Sequence, residues 1–462
     1  MLKKPIAQEV LAAALQNGGT FAEIFLEDTL INSLLLRNDT VETVSSGRKH
    51  GAGIRLLCGT RCLYAYTNDT SRQGLLDCAA KVAAAAQWAQ RAQPAALETV
   101  YFSDRHPTEQ LPQGVEHVRR LRIMRDCTRV MREQSPQIVR AQAAWNDSDQ
   151  RVYIANSEGL FVHDRRTRTR LGLLAIASDG TENQTGFEGP GAMRGIELFE
   201  RKIDATERAK LAARRALTML HADPCPAGVM PVAMAGGFGG VVFHEACGHS
   251  LEATSVSRGQ SEFCGKLGQK IASEKVTAID DGTIPFAWGS TNIDDEGTPT
   301  TKLVLIENGI LKNYMVDKLG GLRMGMPSTG SGRRQDYSFA PTSRMRNTYI
   351  APGTDEEDEI ISSMGDGLYA ASMGGGSVNP ATGEFNFAVE EGYLVKNGKI
   401  DKPVRGASLI GRGSEVLMKI DRISKRCTRA QGLCGSLSGS VPTEVGQPML
   451  RICSQTVGGR KA

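Results

Sequence analysis

The chain has 462 residues, 40% apolar and 23% charged, with a formal net charge of +4. That is the composition of a globular protein with room for two or three domains, and it excludes extended disorder. So mild a positive balance gives no support to nucleic-acid binding, because clusters such as Arg119-Arg120-Leu121-Arg122 and Arg165-Arg166-Thr167-Arg168 lack interleaved aromatics.

Met1-Leu2-Lys3-Lys4-Pro5 has no apolar signal-peptide core, and the 10 cysteines show no paired framework, so a reduced, cytoplasmic setting is expected. Pro5 to Leu15 reads as a short amphipathic helix ended by Asn17-Gly18-Gly19. Strand-like runs follow at Phe21 to Glu27, Ser33 to Arg37, Gly53 to Leu57 and Arg61 to Tyr66. A second helix covers about Gly74 to Arg91, its alanine run suited to packing on a sheet. Pro94, Pro107 and Pro112 then mark a boundary. Beyond it lie a helix at about Val115 to Glu133 and strands at Gln137 to Trp145, Val152 to Ala155 and Leu160 to His163, the last two joined by the turn Asn156-Ser157-Glu158-Gly159. A helix from Ala205 to Leu220 leads to Asp223-Pro224-Cys225-Pro226, a second boundary. Helix and strand mix here without regular βαβ alternation, so an α+β region is expected. The predicted units are 1–100, 112–223 and 225–462.

The third unit opens on a buried strand, Val229 to Ala235, a turn Gly236-Gly237-Phe238-Gly239-Gly240, and Val241-Val242-Phe243 entering a helix. This longest apolar stretch holds a proline and four glycines and is too short to span a membrane. Downstream, Leu303 to Ile306 and Ile310 to Met315 flank Glu307-Asn308-Gly309, and Gly392 to Val395 and Lys399 to Ile400 flank Lys396-Asn397-Gly398. These are antiparallel hairpins. With abundant glycine they predict a curled or barrel-like β domain carrying one helix.

That helix begins His244-Glu245-Ala246-Cys247-Gly248-His249, two imidazoles and a carboxylate within six residues. The short zinc motif spaces its histidines four apart so that both lie on one helical face, with the adjacent glutamate acting on the metal-bound water. Here the spacing is five, which turns the second ring by about 140° from the first on a regular helix. A one-residue π-bulge, or a distortion permitted by Gly248, is therefore predicted between His244 and His249. Chance can also assemble two histidines and a glutamate, and a lone buried histidine is more often a core residue than a ligand. A catalytic zinc takes three protein ligands. No histidine follows His249, so the third is a carboxylate or a thiolate; Cys434, Cys427, Cys453, Glu252 and Glu262 compete for it on residue chemistry alone.

The chain resembles the TldD/PmbA family, and its TldD branch in particular. The resemblance rests on His244 to Glu252 together with Asp294-Asp295-Glu296-Gly297-Thr298-Pro299, Gly332-Arg333-Arg334-Gln335, Arg344-Met345-Arg346-Asn347-Thr348-Tyr349 and Gly374-Gly375-Gly376. Pro403-Val404-Arg405-Gly406-Ala407, Gly446-Gln447-Pro448 and Thr456-Val457-Gly458-Gly459 continue it in family order. The resemblance implies a zinc metallopeptidase acting on unfolded or short peptides. It carries metal ligation onto His244, His249 and Cys434, and onto Glu245 the role of activating a zinc-bound water. It also implies a homodimer, or a heterodimer with a PmbA-like (TldE-like) chain; the motif-lacking branch suggests the alternative of a non-catalytic peptide-binding or regulatory subunit. Imidazole and thiolate favour zinc over cobalt or iron without excluding them. Cys247 is expected to be a packing residue. Gly374, Gly375 and Gly376 are candidates to offer backbone to an extended peptide. Arg333 and Arg334 are candidates for a peptide carboxylate or an oxyanion. Asp294-Asp295-Glu296 resembles a cation site by composition, with loop capping and binding of a peptide's amino end as the other readings.

Overall fold

The structure, a computed structural model, describes residues 1–379 and 382–459. In the N-terminal half, helix α1 (Lys4–Ala14) precedes strands β1 (Phe21–Arg37), β2 (Thr40–Cys58) and β3 (Arg61–Thr67). Helix α2 (Arg72–Ala85) and helix α3 (His117–Glu133) follow, then β4 (Ile138–Asn156), β5 (Leu160–Ser178), β6 (Asn183–Glu188) and helix α4 (Ala205–Leu220). The strands form one sheet with β3-β2-β1-β4-β5 as its run, and β1 pairs with β4 from Glu23 opposite Asn156 to Arg37 opposite Gln142. The predicted units 1–100 and 112–223 thus share a single sheet. Leu11, Leu75 and Val82 of α1 and α2 cover one end of it, and Met124, Met131, Ala209 and Ala213 of α3 and α4 the other.

The runs at Phe21 to Glu27 and Ser33 to Arg37 are one strand, as are those at Gln137 to Trp145 and Val152 to Ala155. Polar residues suggested breaks there, but each finds a partner inside the sheet. Asn32 Nδ2 donates to Asp147 Oδ1 at 2.7 Å, Arg120 Nε donates to Asp147 Oδ2 at 2.7 Å, and Arg165 Nε donates to Asp149 Oδ1 at 2.7 Å. Helix α2 stops at Ala85, short of the expected Arg91.

The C-terminal half contains β7 (Gly228–Met234), β8 (Ala278–Asp281), β9 (Lys302–Glu307), β10 (Ile310–Leu311), helix α5 (Lys318–Met324) and β11 (Asn347–Ile350). Then come β12 (Gly367–Asn379), β13 (Glu384–Lys396), β14 (Lys399–Arg405), β15 (Ser408–Arg412), β16 (Thr428–Ser436), β17 (Gly439–Gln447) and β18 (Leu450–Gly458). Five strands run β12-β7-β18-β15-β13, and β13 pairs back onto β12, closing a small barrel. A second sheet runs β10-β9-β8-β11-β17-β16, leaving β16 at its edge. Both expected hairpins are present, with Asn308 and Asn397 at φ of 48° in their turns. The chain is therefore α+β, with a mainly antiparallel, barrel-like C-terminal region around the metal-site helix.

The two halves meet through an apolar cluster of Phe25, Val152, Ile154, Val162 and Ile293 and through buried ion pairs. Arg55 bonds Glu23 and Glu296, Arg166 bonds Asp164 and Asp295, and Arg334 bonds Glu23. Asp317, which caps α5 by accepting from the Gly320 amide, is pushed up to about 7 by burial and the nearby Glu296 charge. A carboxyl raised in this way contributes stability that is complete below its ordinary value of 3.8 and lost as the pH climbs through about 7. Asp317→Asn keeps the cap and removes the titration. Thermal scans should show its melting temperature gaining on wild type between pH 6 and pH 8; a pH-independent difference would contradict the assignment.

Candidate metal centre

Gly236 to Gly240 turn the chain from β7 into the short helix Val241–Phe243. The turn must be glycine at Gly240, because a Cβ there would stand 2.4 Å from the Gly446 amide nitrogen of β17. Val242, Phe243, Ala246 and Cys247 bury one face in the C-terminal core. Cys247 is thus a packing residue, and burial pushes its thiol well above the usual range.

Residues His244–Gly248 form the π-turn expected from the five-residue spacing: the His249 amide donates to the His244 carbonyl. Gly248 contributes differently from the expectation. Its φ of −56° is ordinary helix, and what it supplies is the absence of a Cβ, which would lie 2.2 Å from Met345 Sδ. The extra residue brings both rings to one side, with centroids 5.1 Å apart and planes at 83°.

Cys434 approaches from edge strand β16. Its Sγ lies 3.2 Å from His244 Nε2 and 3.2 Å from His249 Nε2, and one ligand atom from each residue falls within 4.8 Å of the others. Tetrahedral ligation at about 2.0 Å to nitrogen and 2.3 Å to sulfur spaces N and S about 3.5 Å apart, so the donor set fits zinc. Burial alone would raise the Cys434 thiol, but the His244 charge and hydrogen bonds from both histidines bring it down to about 3. Burial opposes protonation of His249, yet the Glu252 carboxylate and Cys434 hold its pKa well above the usual value. The thiolate is ready for a metal, which on binding would displace a proton from the imidazole.

Glu252 is a positioning group here. Its Oε2 lies 3.1 Å from His249 Nδ1 and its Oε1 accepts from the Met345 amide at 3.3 Å. A proton held on Nδ1 leaves Nε2 as the free donor atom facing Cys434. Arg344, fully buried, stands behind both: its Nε is 4.0 Å from Glu252 Oε1, and its Nη2 donates to the Cys434 carbonyl. Glu252→Gln should weaken metal binding about 10- to 100-fold while leaving turnover of the fully loaded protein nearly unchanged. Competition with a chromophoric chelator reads this directly, and an unaltered affinity would remove Glu252 from the site. Cys427 and Glu262 are outside the cluster; so is Cys453, on β18.

Glu245 Oε2 stands 3.7 Å from His249 Nε2, with its side chain 28% exposed against 12% for His249. It faces a cleft of about 370 Å³ bordered by Ser377 and Val378 of β12 and by Gly435 and Ser436 of β16. A larger groove of about 650 Å³ also borders both strands, at Met373 and Gly375 and at Ala430 and Leu433. Of the three candidate glycines, Gly375 lines this groove with open space where a Cβ would be, Gly374 abuts Glu390, and Gly376 packs on Phe387.

The arginine and acidic candidates lie elsewhere. Arg333 donates to the carbonyls of Met345 and Pro442, and Arg334 to Glu23, the Asp295 carbonyl and Tyr64 Oη. Both are buried between the two halves, and neither lines the cleft that Glu245 faces. The Asp294 carboxylate accepts from the amides of Glu296, Thr298 and Gly332, while Asp295 and Glu296 pair with arginines. This is loop capping and charge pairing, and the cation-site reading falls.

The chain matches the PmbA/TldA metallopeptidase domain 1 over residues 22–86, the central domain over 111–220 and the C-terminal domain over 227–459. It is 35% identical to the metalloprotease TldD homolog of Haemophilus influenzae, covering 95% of this chain and 93% of that protein. It is 26% identical to the zinc metalloprotease TldD homolog of Saccharolobus solfataricus, over 96% and 97% of the two chains. In fold it is similar to TldE from Thermococcus kodakarensis, at 20% identity and a TM-score of 0.77 over 98% and 100% of the two chains. A protein of Thermotoga maritima named as a modulator of a DNA gyrase aligns at 21% identity with a TM-score of 0.81, over 98% and 99%. None of the described helices is long and apolar enough to cross a membrane. Taken with the His-His-Cys cluster, these matches make the chain a member of the PmbA/TldD metallopeptidase family, on its TldD side, and a hydrolase of peptide bonds.

Proposed function

We propose that the protein is a zinc-dependent peptidase of unfolded or short peptides, with His244, His249 and Cys434 as metal ligands and Glu245 as the catalytic base. The observation that carries this reading is the convergence of one thiol and two imidazole nitrogens within 4.8 Å beside a carboxylate that opens on a cleft. A zinc ion held there would supply a Lewis acid for the scissile carbonyl and lower the pKa of a water to about 7. Glu245 takes the proton of the attacking water and returns it to the leaving amine. Buried Glu252 and Arg344 fix the orientation of His249 and of the Cys434 backbone, so the site is assembled before substrate arrives.

Substrate enters as extended chain between the edges of β12 and β16. Gly374, Gly375 and Gly376 give β12 an irregular edge whose backbone, at Gly375 above all, is open to pairing. Recognition through backbone favours unfolded chains of many sequences. The units 1–100, 112–223 and 225–462 act together, and the assembly is a homodimer or a heterodimer with a PmbA- or TldE-like chain. A reducing, cytoplasmic compartment suits the 10 unpaired cysteines.

Chelation tests the reading. Removing the metal from the purified protein should abolish cleavage of an unstructured peptide, and adding one equivalent of zinc should restore it. Cleavage that survives complete metal loss would sink the proposal. Peptide binding with neither metal uptake nor cleavage would assign the regulatory role instead.

A further inference from the structure

Burying a guanidinium without a carboxylate is unfavourable, since carbonyl acceptors return only part of the lost hydration. Arg55, Arg166 and Arg334 obey this rule between the two halves, each paired with carboxylates. Three neighbours do not. Arg168 donates to the carbonyls of Trp288 and Ser290 at 3.0 and 3.1 Å and to Met193 Sδ at 3.8 Å. Arg170 donates to the carbonyls of Gly189 and Gln431 at 3.2 and 2.9 Å. Arg333 donates to those of Met345 and Pro442 at 2.5 and 2.7 Å. Among the described residues, none of the three comes within 4.0 Å of a carboxylate oxygen.

All three line one cavity of about 450 Å³, with Trp288 and Leu433 on the same walls. Arg168 and Arg333 are 7% and 5% exposed, and the Arg170 guanidinium lies 5.8 Å over the Trp288 ring. Nη1 of Arg168, Nη1 of Arg170 and Nε of Arg333 have no protein acceptor among the described residues, so each keeps donors for a ligand. The acidic groups on these walls are committed. Asp147 accepts from Arg120, Trp145 and Asn32, and Asp295 from Arg166 and the Arg334 amide. Burial pushes Asp294 well above the usual carboxylate range and Glu27 up to about 7, which weakens both as counter-ions. Burial and neighbouring guanidiniums in turn push Arg168 down to about 9 and Arg333 down to about 10.

We propose that this cavity is a second ligand site, separate from the His244-His249-Cys434 cluster, which binds a small anion bearing carboxylate or phosphate groups through Arg168, Arg170 and Arg333. Guanidinium forks match both oxyanions, and the volume falls in the small-molecule range. Two of the carbonyls these arginines hold, Gln431 and Pro442, belong to the β16–β17 hairpin that carries Cys434.

The test is calorimetric titration and thermal denaturation of the metal-loaded full chain with sodium phosphate and with sodium citrate, at ionic strength matched by sodium chloride. A saturable heat and a saturable rise in melting temperature with either anion supports the site, and whichever binds identifies phosphate or carboxylate chemistry. Arg168→Met and Arg333→Met should each weaken that binding at least about tenfold. Arg170→Gln, at a half-buried position, serves if the buried variants do not fold, with metal content and circular dichroism as its controls. Neither anion exceeding the chloride control, or equal affinity in every folded variant, overturns the proposal.

Discussion

Glu245→Gln should leave the protein folded and loaded with one metal ion, yet lower kcat for peptide cleavage by about 10²- to 10⁴-fold. The side chain keeps its length and polarity, so packing around the π-turn is undisturbed. Among the described residues the cation within 4.0 Å of its carboxylate is His249, with Nε2 at 3.7 Å, and it carries no buried hydrogen bond whose loss would unfold the turn. What disappears is the ability to accept a proton. Matched metal content with normal turnover would remove Glu245 from the chemistry; loss of the metal along with activity would make it a ligand.

Cys434→Ala should release the metal. Structural zinc sites with four ligands bind with roughly 10–16 kcal/mol, so one thiolate accounts for about 3 kcal/mol, or about two orders of magnitude in affinity. Under a competing chelator the variant should therefore be metal-free and as inactive as Glu245→Gln. Cys434 is a cleaner probe than His249. Removing the His249 ring also takes away the partner of Glu252 Oε2, on a side chain 3% exposed, and an unsatisfied buried acceptor costs about 1–3 kcal/mol of stability even with the Met345 amide still on Oε1. Retention of stoichiometric metal in Cys434→Ala would move the third ligand to another side chain.

The motif, its spacing and the resulting distortion were legible because a helix advances by a fixed angle per residue, and five residues between ligands cannot be reconciled with a regular one. Cys434 was visible only through family resemblance: residue chemistry left it level with Glu252 and four-coordinate zinc could have used either. The structure separates them by distance, placing Glu252 against Nδ1 of His249 rather than among the converging atoms. Arg344 belongs to one of the blocks that carry the resemblance, whereas its partners, the Cys434 carbonyl and Glu252, depend on strand register that no local signal encodes. The long strands were hidden for a related reason. Asn32, Asp147 and Asp149 look like loop residues until Arg120 and Arg165 are brought across to meet them. Residues 40–50 had no apolar alternation to betray the exposed first half of β2.

His249 and Cys434 are 185 positions apart, and the strand that bears the cysteine is among the last three in the chain. A ribosome synthesising this chain therefore exposes both histidines and Glu245 long before the sulfur that would complete their metal site exists. While the 185 positions from His249 to Cys434 are being made, the nascent protein holds two ligands, too few for tight capture of zinc. With Cys434 as the third ligand, the site is complete only once β16 has emerged and docked against β17, by which time the N-terminal sheet is available to fold and the barrel lacks only β18. The same arrangement means that a message broken before codon 434 yields an inert fragment instead of an unguarded peptidase.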